Sequence, residues 1–319
     1  MQDTYILIIN WNAAVDTLEC IDSVIGLPNA KILLIDNASA DDSVNVMRKR
    51  FIDKAYDFTT CKPDELADKA KLPCPKITFI LSDENLGFAK GNNLMLRYAM
   101  LRNDAPYAWL FNNDAHATEG ALANMIKKME LDAKTFLVGS VILDFNKEGL
   151  VQSCGVKYFN YFGVSKLLLK DSVWKDVDKT HLPLSEIDFQ HGASMLVRLA
   201  PLKEIGLMDE RYFLYFEEHD WQWTALEKGY KNVLATDSII IHKGSVSTNN
   251  KKHLFFYYYN RSAIMFARKH STWFVRMSAT ILLTGITLIR AKFFYKSVFW
   301  GLKGMWEGYF YKDISKSAE

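Results

Sequence analysis

The chain has 319 residues, of which 49% are hydrophobic and 24% are charged, a balance typical of a globular protein with a sizeable core. This length accommodates one large α/β domain with an appendage, or two domains. The formal net charge of +2 is unevenly distributed, because residues 251–319 carry 12 basic and 3 acidic side chains (net +9), whereas residues 1–250 carry 27 and 34 (net −7). A basic tail favours an anionic membrane surface, and nucleic acid is disfavoured as a partner because no recognition motif accompanies the charge.

The amino-terminal sequence and the cysteines indicate the compartment. The chain enters an apolar run within a few residues of Met1, so we expect no secretory signal peptide and a cytoplasmic location. The four cysteines lack metal-ligand spacing, and a disulfide between Cys61 and Cys74 is disfavoured because nothing else indicates an oxidising environment.

Short apolar runs alternate with helical patterns in the first part of the chain. The apolar runs predict strands at residues 5–9, 31–35, 77–81 and 107–111. Helical spacing and capping residues predict helices at residues 16–25 and 43–51, a glycine-bearing loop and helix at 85–102, and a helix at 120–131. Residues 53–76 are polar and contain three prolines, so we expect a surface insertion there. This alternation predicts a doubly wound, mostly parallel α/β sheet.

The second part of the chain continues the alternation less regularly. Strands are predicted at residues 137–143, 192–197 and 233–241, and helices at residues 201–205 and 220–228. Residues 149–184 are aromatic and mixed, and they give no clear pattern.

The tail combines basic and aromatic residues. Residues 277–289 carry no charge, but a membrane-spanning helix needs about 20 residues, and 273–289 with one arginine comes closer. Residues 291–311 predict an amphipathic helix with a narrow polar stripe and a wide apolar face. The stripe comprises Lys292, Lys296, Lys303 and Glu307, and the face comprises Phe293, Phe294, Val298, Trp306 and Phe310. Residues 273–311 therefore predict a helix in the membrane interface, although packing on the catalytic domain or on a second copy of the chain stays open.

A cluster of acidic residues lies inside an aromatic run at residues 212–223. It contains Glu217, Glu218 and Asp220, with His219 among them. Carboxylates are costly to place among aromatic side chains unless they are paired, metal-bound or catalytic. Because aromatic faces also stack against sugar rings, this run indicates a sugar-handling active site.

Polar residues follow four of the predicted strands. They are Asn10 and Asn12, Asp36 and Asn37, Asn112, Asn113 and Asp114, and His242. Parallel sheets bind ligands at the carboxyl ends of their strands, so these residues predict one edge of a nucleotide cleft. Asp114, with His242, is a candidate ligand for Mg²⁺ or Mn²⁺. The alternative for Asp114 is a helix cap, which Thr118 suits better.

The segment at residues 85–93 places two glycines beside Lys90. Glycine lets a backbone approach a ligand closely, and the lysine and the backbone amides could bind a diphosphate. The segment is neither a Walker loop nor a GxGxxG loop, so an ordinary turn into a helix stays open.

Taken in order, these segments resemble those of family 2 glycosyltransferases. The similarity covers residues 5–247 and is strongest to rhamnosyltransferase-like enzymes of bacterial surface polysaccharide synthesis. The segments are Ile8-Ile-Asn-Trp-Asn12, Leu34-Ile-Asp-Asn-Ala-Ser39, Glu84-Asn-Leu-Gly-Phe-Ala-Lys-Gly-Asn-Asn93, Leu110-Phe-Asn-Asn-Asp114, Gly192-Ala193, Phe213-Leu-Tyr-Phe-Glu-Glu-His-Asp220 and His242. The resemblance implies a GT-A fold in residues 1–250, with a nucleotide-sugar half to about 115 and an acceptor half from 116. Residues 251–319 would form a membrane-interface or dimerisation segment.

The resemblance also implies roles for individual residues. Asp36 would contact the base or ribose, Asp114 would be the remaining carboxylate of a metal-binding DxD motif, and Glu218 would be the general base. The nucleotide pocket would be lined by Asn85, Gly87, Phe88, Lys90 and Asn92. Glu217 and Asp220 would be acceptor or support groups, with Asp220 as the fallback base. The chain departs from the family at Asn112, which replaces the first aspartate, and at Glu218, where the family typically has aspartate.

The implied function is transfer of a sugar from a nucleotide diphosphate to a glycan hydroxyl group with inversion at the anomeric carbon. The first candidate donor is dTDP-rhamnose, with UDP-linked sugars open, and the expected acceptor is a lipid-linked glycan at the inner face of the cell membrane. The alternative is a catalytically inactive homologue acting as a binding or scaffold subunit, which the departures at Asn112 and Glu218 would fit. A sugar nucleotidyltransferase is disfavoured because residues 10–15 lack a glycine-rich loop that contains arginine.

Overall fold

One mixed sheet forms the centre of the protein in the computed structural model, which describes residues 3–244, 252–292 and 294–310. Within these residues, ten strands belong to the central sheet, and β9 and β10 form a separate hairpin. In chain order the strands are β1 Thr4–Asn10, β2 Ala30–Asn37, β3 Phe58–Cys61, β4 Ile77–Ser82, β5 Tyr107–Phe111, β6 Ala115–Ala117, β7 Thr135–Asp144, β8 Val151–Ser153, β9 Val156–Phe159, β10 Val164–Leu167, β11 Ser194–Arg198 and β12 Lys231–His242.

Ten α-helices accompany the strands in the same described residues. They are α1 Ala14–Val24, α2 Ser43–Asp53, α3 Leu66–Lys69, α4 Gly87–Arg102, α5 Ala121–Glu130, α6 Leu202–Ile205, α7 Glu217–Glu227, α8 Lys252–His270, α9 Trp273–Arg290 and α10 Tyr295–Phe310.

The strand order is β3-β4-β2-β1-β5-β11-β7-β12-β6, and β8 pairs with β7. The first five strands are mutually parallel. Strand β11 is antiparallel to both β5 and β7, so β7 and its parallel neighbour β12 point in the same direction as β1. The predicted doubly wound, mostly parallel α/β sheet is confirmed.

Helices cover both faces of the sheet because the strand side chains alternate. In β1, Ile6 and Ile8 pack with side chains of α1, α2 and α5, whereas Tyr5 and Leu7 pack on the opposite face with α4, α6 and α7. Complete burial of each such aliphatic side chain contributes about 1.5–3 kcal/mol.

The prediction that residues 53–76 form a surface insertion is wrong in one respect. Phe58–Cys61 forms β3, which pairs in parallel with β4 at the edge of the sheet. This strand has four residues, two of them threonine, and most of it is only half-buried. It therefore lacks the long apolar run that identifies a central strand.

The carboxyl-terminal helices differ from the predicted single helix at 291–311. Helix α9 ends at Arg290, and a turn in which Lys292 has a φ of +49° separates it from α10. Lys292 is thus outside the helix that carries Lys296 and Lys303. Phe293 and Tyr311, which the predicted helix included, lie outside the described residues.

Glycines form the contact between α10 and α8. Gly301, Gly304 and Gly308 are buried, and each faces α8. A Cβ on Gly304 would overlap the carbonyl oxygen of Tyr257, and one on Gly308 would lie 2.5 Å from that of Arg261. The two backbones therefore approach each other more closely than any residue with a side chain permits.

The opposite side of these helices is apolar and exposed. Tyr295, Phe299, Leu302, Trp306 and Phe310 recur at helical spacing along α10, and each is 42–82% exposed. By length and composition alone, α9 could cross a membrane, and 17% of it is buried. The exposed apolar faces of α9 and α10 are called the tail face below.

Replacing Gly304 with alanine should weaken the packing of α10 on α8. We expect the free energy of unfolding to fall by about 1–3 kcal/mol, because the new methyl group meets backbone rather than a flexible side chain. Urea unfolding followed by tryptophan fluorescence measures the change.

The matched control is Gly285→Ala in α9, where a Cβ would meet no atom within 4 Å. There the substitution should stabilise the helix by up to about 1 kcal/mol. Equal effects at the two positions would contradict the glycine contact.

Candidate active site

Strand ends bring polar residues together at one edge of the sheet. Strands β1, β2, β5 and β12 point the same way, so their carboxyl ends share that edge. Strand β11 runs in the opposite direction, and the residues before it lie at the same edge, where the Asn112 N–H donates to the Ala193 carbonyl oxygen at 3.1 Å. This edge is where open α/β sheets bind ligands.

Asn10 and Asp36 form a buried hydrogen-bonded pair. The Asn10 amide donates to Asp36 Oδ1 at 2.7 Å and to Ser39 Oγ at 3.1 Å, and its oxygen accepts from Thr17 Oγ1 at 2.7 Å. Asp36 Oδ2 accepts the Ser39 N–H at 2.9 Å. Both side chains are at most 2% exposed, so they shape the loop after β2.

Asn12 and Asn113 extend this network. Asn12 is exposed, and its side-chain oxygen accepts from the backbone amides of Ala40 and Asp41 at 2.7 and 3.2 Å. The Asn113 amide donates to Thr17 Oγ1 at 2.9 Å. The network therefore joins the loops that follow β1, β2 and β5.

Asn37 holds the glycine-bearing segment at the start of α4. Its amide donates to Asn85 Oδ1 at 3.3 Å and to the Gly87 carbonyl at 3.2 Å, and its oxygen accepts the Leu86 N–H. Gly87 has a φ of +68°, and a Cβ there would lie 2.6 Å from the Phe213 carbonyl oxygen. Only glycine satisfies both constraints.

The other residues predicted for the nucleotide pocket differ in exposure. Phe88 is half-buried, and its N–H donates to the Phe213 carbonyl oxygen at 3.3 Å. Lys90 is exposed and pairs with Glu84 at 2.7 Å. Asn92 is 2% exposed and donates to the Phe88 carbonyl oxygen, so it supports the turn from inside α4.

Asp114 and His242 converge at the centre of the edge. Asp114 Oδ1 lies 3.0 Å from His242 Nε2, and the Asn112 amide lies 3.3 Å from the same nitrogen. His242 is 5% exposed, and its Nδ1 lies 2.6 Å from Gln152 Oε1. Burial raises the pKa of Asp114, but the hydrogen bond and charge of His242 outweigh burial and hold this pKa below its usual value.

These residues could supply ligands to a cation. Among the described residues, no three His, Cys, Asp or Glu side chains form a complete metal site. Asp114 and His242 would supply two ligands, with Asn112 beside them.

Glu217 and Glu218 begin α7 and differ in environment. Glu217 is 3% exposed, whereas Glu218 is half-buried and lies beside Gly192 at the sheet edge. Burial raises the pKa of Glu217 well above its usual value, and the charge of Glu218 adds to this effect. Burial also opposes ionisation of Glu218, but His219, whose Nδ1 lies 3.5 Å away, outweighs it and lowers this pKa. Of the two, Glu218 is therefore the carboxyl group that loses its proton more readily.

Asp220 is paired with the carboxyl-terminal helix α8. It is 2% exposed, and its oxygens lie 2.8 Å from Lys269 Nζ and 2.7 Å from His270 Nε2. This geometry fits the support role predicted for Asp220 and leaves no open face for a proton transfer from substrate.

His191, which lies at the same edge just before β11, was not among the predicted site residues. Its ring is 5.9 Å from that of His242, and its Nδ1 accepts the Ala193 N–H at 3.1 Å. Burial, with a smaller contribution from the charge of His242, lowers the pKa of His191 to about 4. The sequence carries no signal for this position, because it depends on the reversed direction of β11 in the sheet.

A separate cavity of about 540 Å³ lies away from the carboxylates, where the loop before α7 meets the carboxyl-terminal helices. It is lined by Arg211, Phe213, Tyr257, Tyr258, Arg261, Trp306, Glu307 and Phe310. We assign the chemistry to the sheet edge, because Glu218 and the Asp114–His242 pair lie there.

The family model described as glycosyl transferase family 2 matches residues 5–206. The mannosyltransferase PcManGT from Pyrobaculum calidifontis, solved with GDP-Man and Mn²⁺, has a TM-score of 0.55 and 14% identity, over 100% of this chain and 80% of that one. GalNAc-T7, solved with UDP, GalNAc and Mn²⁺, has a TM-score of 0.59 and 13% identity, over 84% of this chain and 48% of that one. No curated protein matches the sequence. At these identities the solved structures show a shared fold.

The protonated state of Glu217 predicts a pH dependence of stability. Because its folded pKa is raised, the folded state retains a proton that the unfolded state loses above its ordinary pKa of about 4.5. Stability should therefore fall by about 1.4 kcal/mol per pH unit between that value and the folded pKa. Glu217→Gln should remove this fall, so its stability advantage over the wild type should grow as the pH rises.

Urea unfolding from pH 5 to 8 measures the effect, with the exposed Glu186→Gln as control. Parallel stability curves for the wild type and Glu217→Gln would show that Glu217 is ionised.

Proposed function

Because the chain belongs to glycosyl transferase family 2 and shares the GT-A fold of its structural relatives, it is a glycosyltransferase, and we propose that it transfers a sugar with inversion from a nucleotide-diphosphate donor to a glycan hydroxyl group. The single observation that carries this proposal is the sheet edge, where the Asp114–His242 pair and the Glu218 carboxylate lie together. Through a divalent cation, the Asp114–His242 pair could bind a diphosphate, and the Glu218 carboxylate could accept a proton.

We assign the general base to Glu218. Glu218 is half-buried and has a lowered pKa, whereas burial raises the pKa of Glu217 and Asp220 is paired. The Oε2 of Glu218 is buried, so the acceptor hydroxyl group would approach Oε1, the oxygen nearest Gly192.

The proposed reaction forms one bond at the anomeric carbon and breaks another. The acceptor oxygen attacks the anomeric carbon as the bond from that carbon to the diphosphate oxygen breaks, and the electron pair leaves with the diphosphate. Glu218 takes the hydroxyl proton. Because attack and departure occur on opposite faces of the sugar, the configuration at the anomeric carbon inverts.

The residues present fit a divalent cation, Mg²⁺ or Mn²⁺. Asp114 Oδ1 and His242 Nε2 lie 3.0 Å apart, so both atoms could contact one cation once the proton between them is displaced. Gln152 Oε1 would then accept the Nδ1 proton of His242. When bound, the ion would neutralise charge on the leaving diphosphate. Asn112, in place of an aspartate, would add an uncharged oxygen or nitrogen contact.

The nucleotide would lie along the loops after β1 and β2, over Asp36 and the segment from Asn85 to Lys90. Our first candidate donor is dTDP-rhamnose, from the resemblance to rhamnosyltransferase-like enzymes, and UDP-linked sugars are the alternatives. PcManGT was solved with GDP-Man and GalNAc-T7 with UDP, so the shared fold accommodates different nucleotides.

We further propose that the tail face binds the inner surface of the cell membrane and that the acceptor is a lipid-linked glycan of polysaccharide synthesis. Exposed aromatic side chains on α10 lie beside Lys296 and Lys303, a combination suited to an anionic interface. Ser278 and Thr287 of α9 form hydrogen bonds with other parts of the protein. These bonds support a helix that lies at the membrane surface rather than one that crosses the membrane. A homodimer through the tail face is the competing use of this surface.

Glu218→Gln should reduce sugar transfer and donor hydrolysis by at least about a hundredfold, because an amide cannot accept the proton. The measurement is release of nucleoside diphosphate from a panel of dTDP-, UDP- and GDP-linked sugars, with Mn²⁺, with Mg²⁺ and with a chelator. The exposed Glu186→Gln should match the wild type.

The scaffold alternative predicts a different result. A folded wild-type protein that releases no nucleoside diphosphate from any donor would favour it, whereas activity that survives Glu218→Gln would move the base elsewhere.

The double variant Trp306→Ser and Phe310→Ser should bind anionic vesicles at least about tenfold more weakly than the wild type, since each exposed ring contributes apolar area to the interface. Flotation with phosphatidylglycerol-containing vesicles and with phosphatidylcholine vesicles measures this. Leu101→Ser with Leu131→Ser, which removes two exposed leucines from the catalytic domain, is the matched control.

Two results would contradict the membrane proposal. One is flotation that is equal in the two double variants. The other is a wild-type protein that does not float and instead sediments as a dimer.

A further inference from the structure

His191 lies between the two chemical groups of the sheet edge. Its ring is 5.9 Å from that of His242, and the next residue, Gly192, lies beside the Glu218 carboxylate. The charges of His242, Glu218 and Asp114 all act on it. His191 therefore lies between the candidate cation ligands and the proposed base.

A backbone hydrogen bond fixes the tautomer of His191. The Ala193 N–H donates to Nδ1 at 3.1 Å, so Nδ1 carries the lone pair and Nε2 carries the proton. The ring therefore presents one N–H donor.

No described residue accepts a hydrogen bond from this Nε2, and the side chain of His191 is partly exposed at the edge. Most buried polar groups in proteins have a partner, and those in a cleft often find it in the ligand. A donor held neutral by its surroundings is suited to an anionic oxygen, since it forms a charge-assisted hydrogen bond without carrying a charge of its own.

We propose that the Nε2–H group of His191 donates a hydrogen bond to an oxygen of the leaving diphosphate. The bond strengthens as the sugar departs and negative charge grows on that oxygen, so His191 acts on the transition state as well as on nucleotide binding. This proposal rests on the nucleotide-diphosphate donor of the proposed function. It assigns the position before β11 to the diphosphate end of the cleft.

The test compares nucleoside diphosphates with monophosphates. Calorimetry with UDP and UMP, dTDP and dTMP, and GDP and GMP, all with Mn²⁺, measures how much affinity the second phosphate adds. His191→Ala and His191→Phe should lose about 10- to 100-fold in affinity for the diphosphate that the wild type binds. Affinity for the matching monophosphate should stay within about twofold, which also reports an intact pocket.

Two further variants sharpen the result. His191→Gln keeps an N–H donor and should retain part of the preference for diphosphate, and its kcat should exceed that of His191→Phe. His181→Ala, which changes an exposed histidine, should behave as the wild type.

The outcomes separate the two proposals. A wild-type protein that binds none of these nucleotides overturns the proposed function. A wild type that prefers diphosphate, with His191→Phe sharing that preference, overturns the role of His191 alone. Equal losses for diphosphate and monophosphate would make His191 a structural residue and would overturn it as well.

Discussion

The buried carboxylate of Asp220 is the contact that joins the catalytic part of the chain to its tail. A charged group that is 2% exposed costs several kcal/mol unless it is paired. Lys269 and His270 provide that pairing, and both belong to α8. Since Asp220 is in the first turn of α7, the same ion pairs set the position of Glu217 and Glu218. The tail is therefore part of the architecture of the site.

Three acidic residues in one helical turn have three different states because their environments differ. Burial raises the pKa of Glu217, Asp220 is paired with Lys269 and His270, and His219 lowers the pKa of Glu218 at the cleft. The amino terminus of α7 favours negative charge, which helps to hold the two ionised members. When the pKa values of neighbouring carboxyl groups shift in opposite directions, one of them can be ionised at neutral pH and act as a base.

Much of the fold could be predicted from the sequence, because central strands are long apolar runs. The runs that became β1, β2, β4 and β5 were recognisable, and so was the polar edge that follows them. The edge strand β3 was missed because its half-buried, threonine-rich segment resembles a loop. The start of α10 was predicted at residue 291 instead of Tyr295, because the helical periodicity continues across the turn at Lys292.

Candidate residues could be named from the sequence where a residue type itself carries the chemistry, as with Asp114, His242 and Glu218. Sequence could not show which carboxylate would be accessible, since the states of Glu217 and Asp220 depend on partners elsewhere in the chain. The pairing of Asp220 with Lys269 and His270 joins positions about 50 residues apart. His191 stayed hidden because the reversed direction of β11 is a property of the sheet order.

The position of β12 between β7 and β6 has a consequence for how the protein is made. A growing chain that has reached Gly206 already contains Asp36, Asp114 and His191, yet it lacks Glu218 and His242. Among the described strands, the one that brings His242 to the edge is synthesised last, and α8, which pairs with Asp220, follows it. The ribosome thus delivers the proposed base and the proposed second cation ligand only after the nucleotide half is complete.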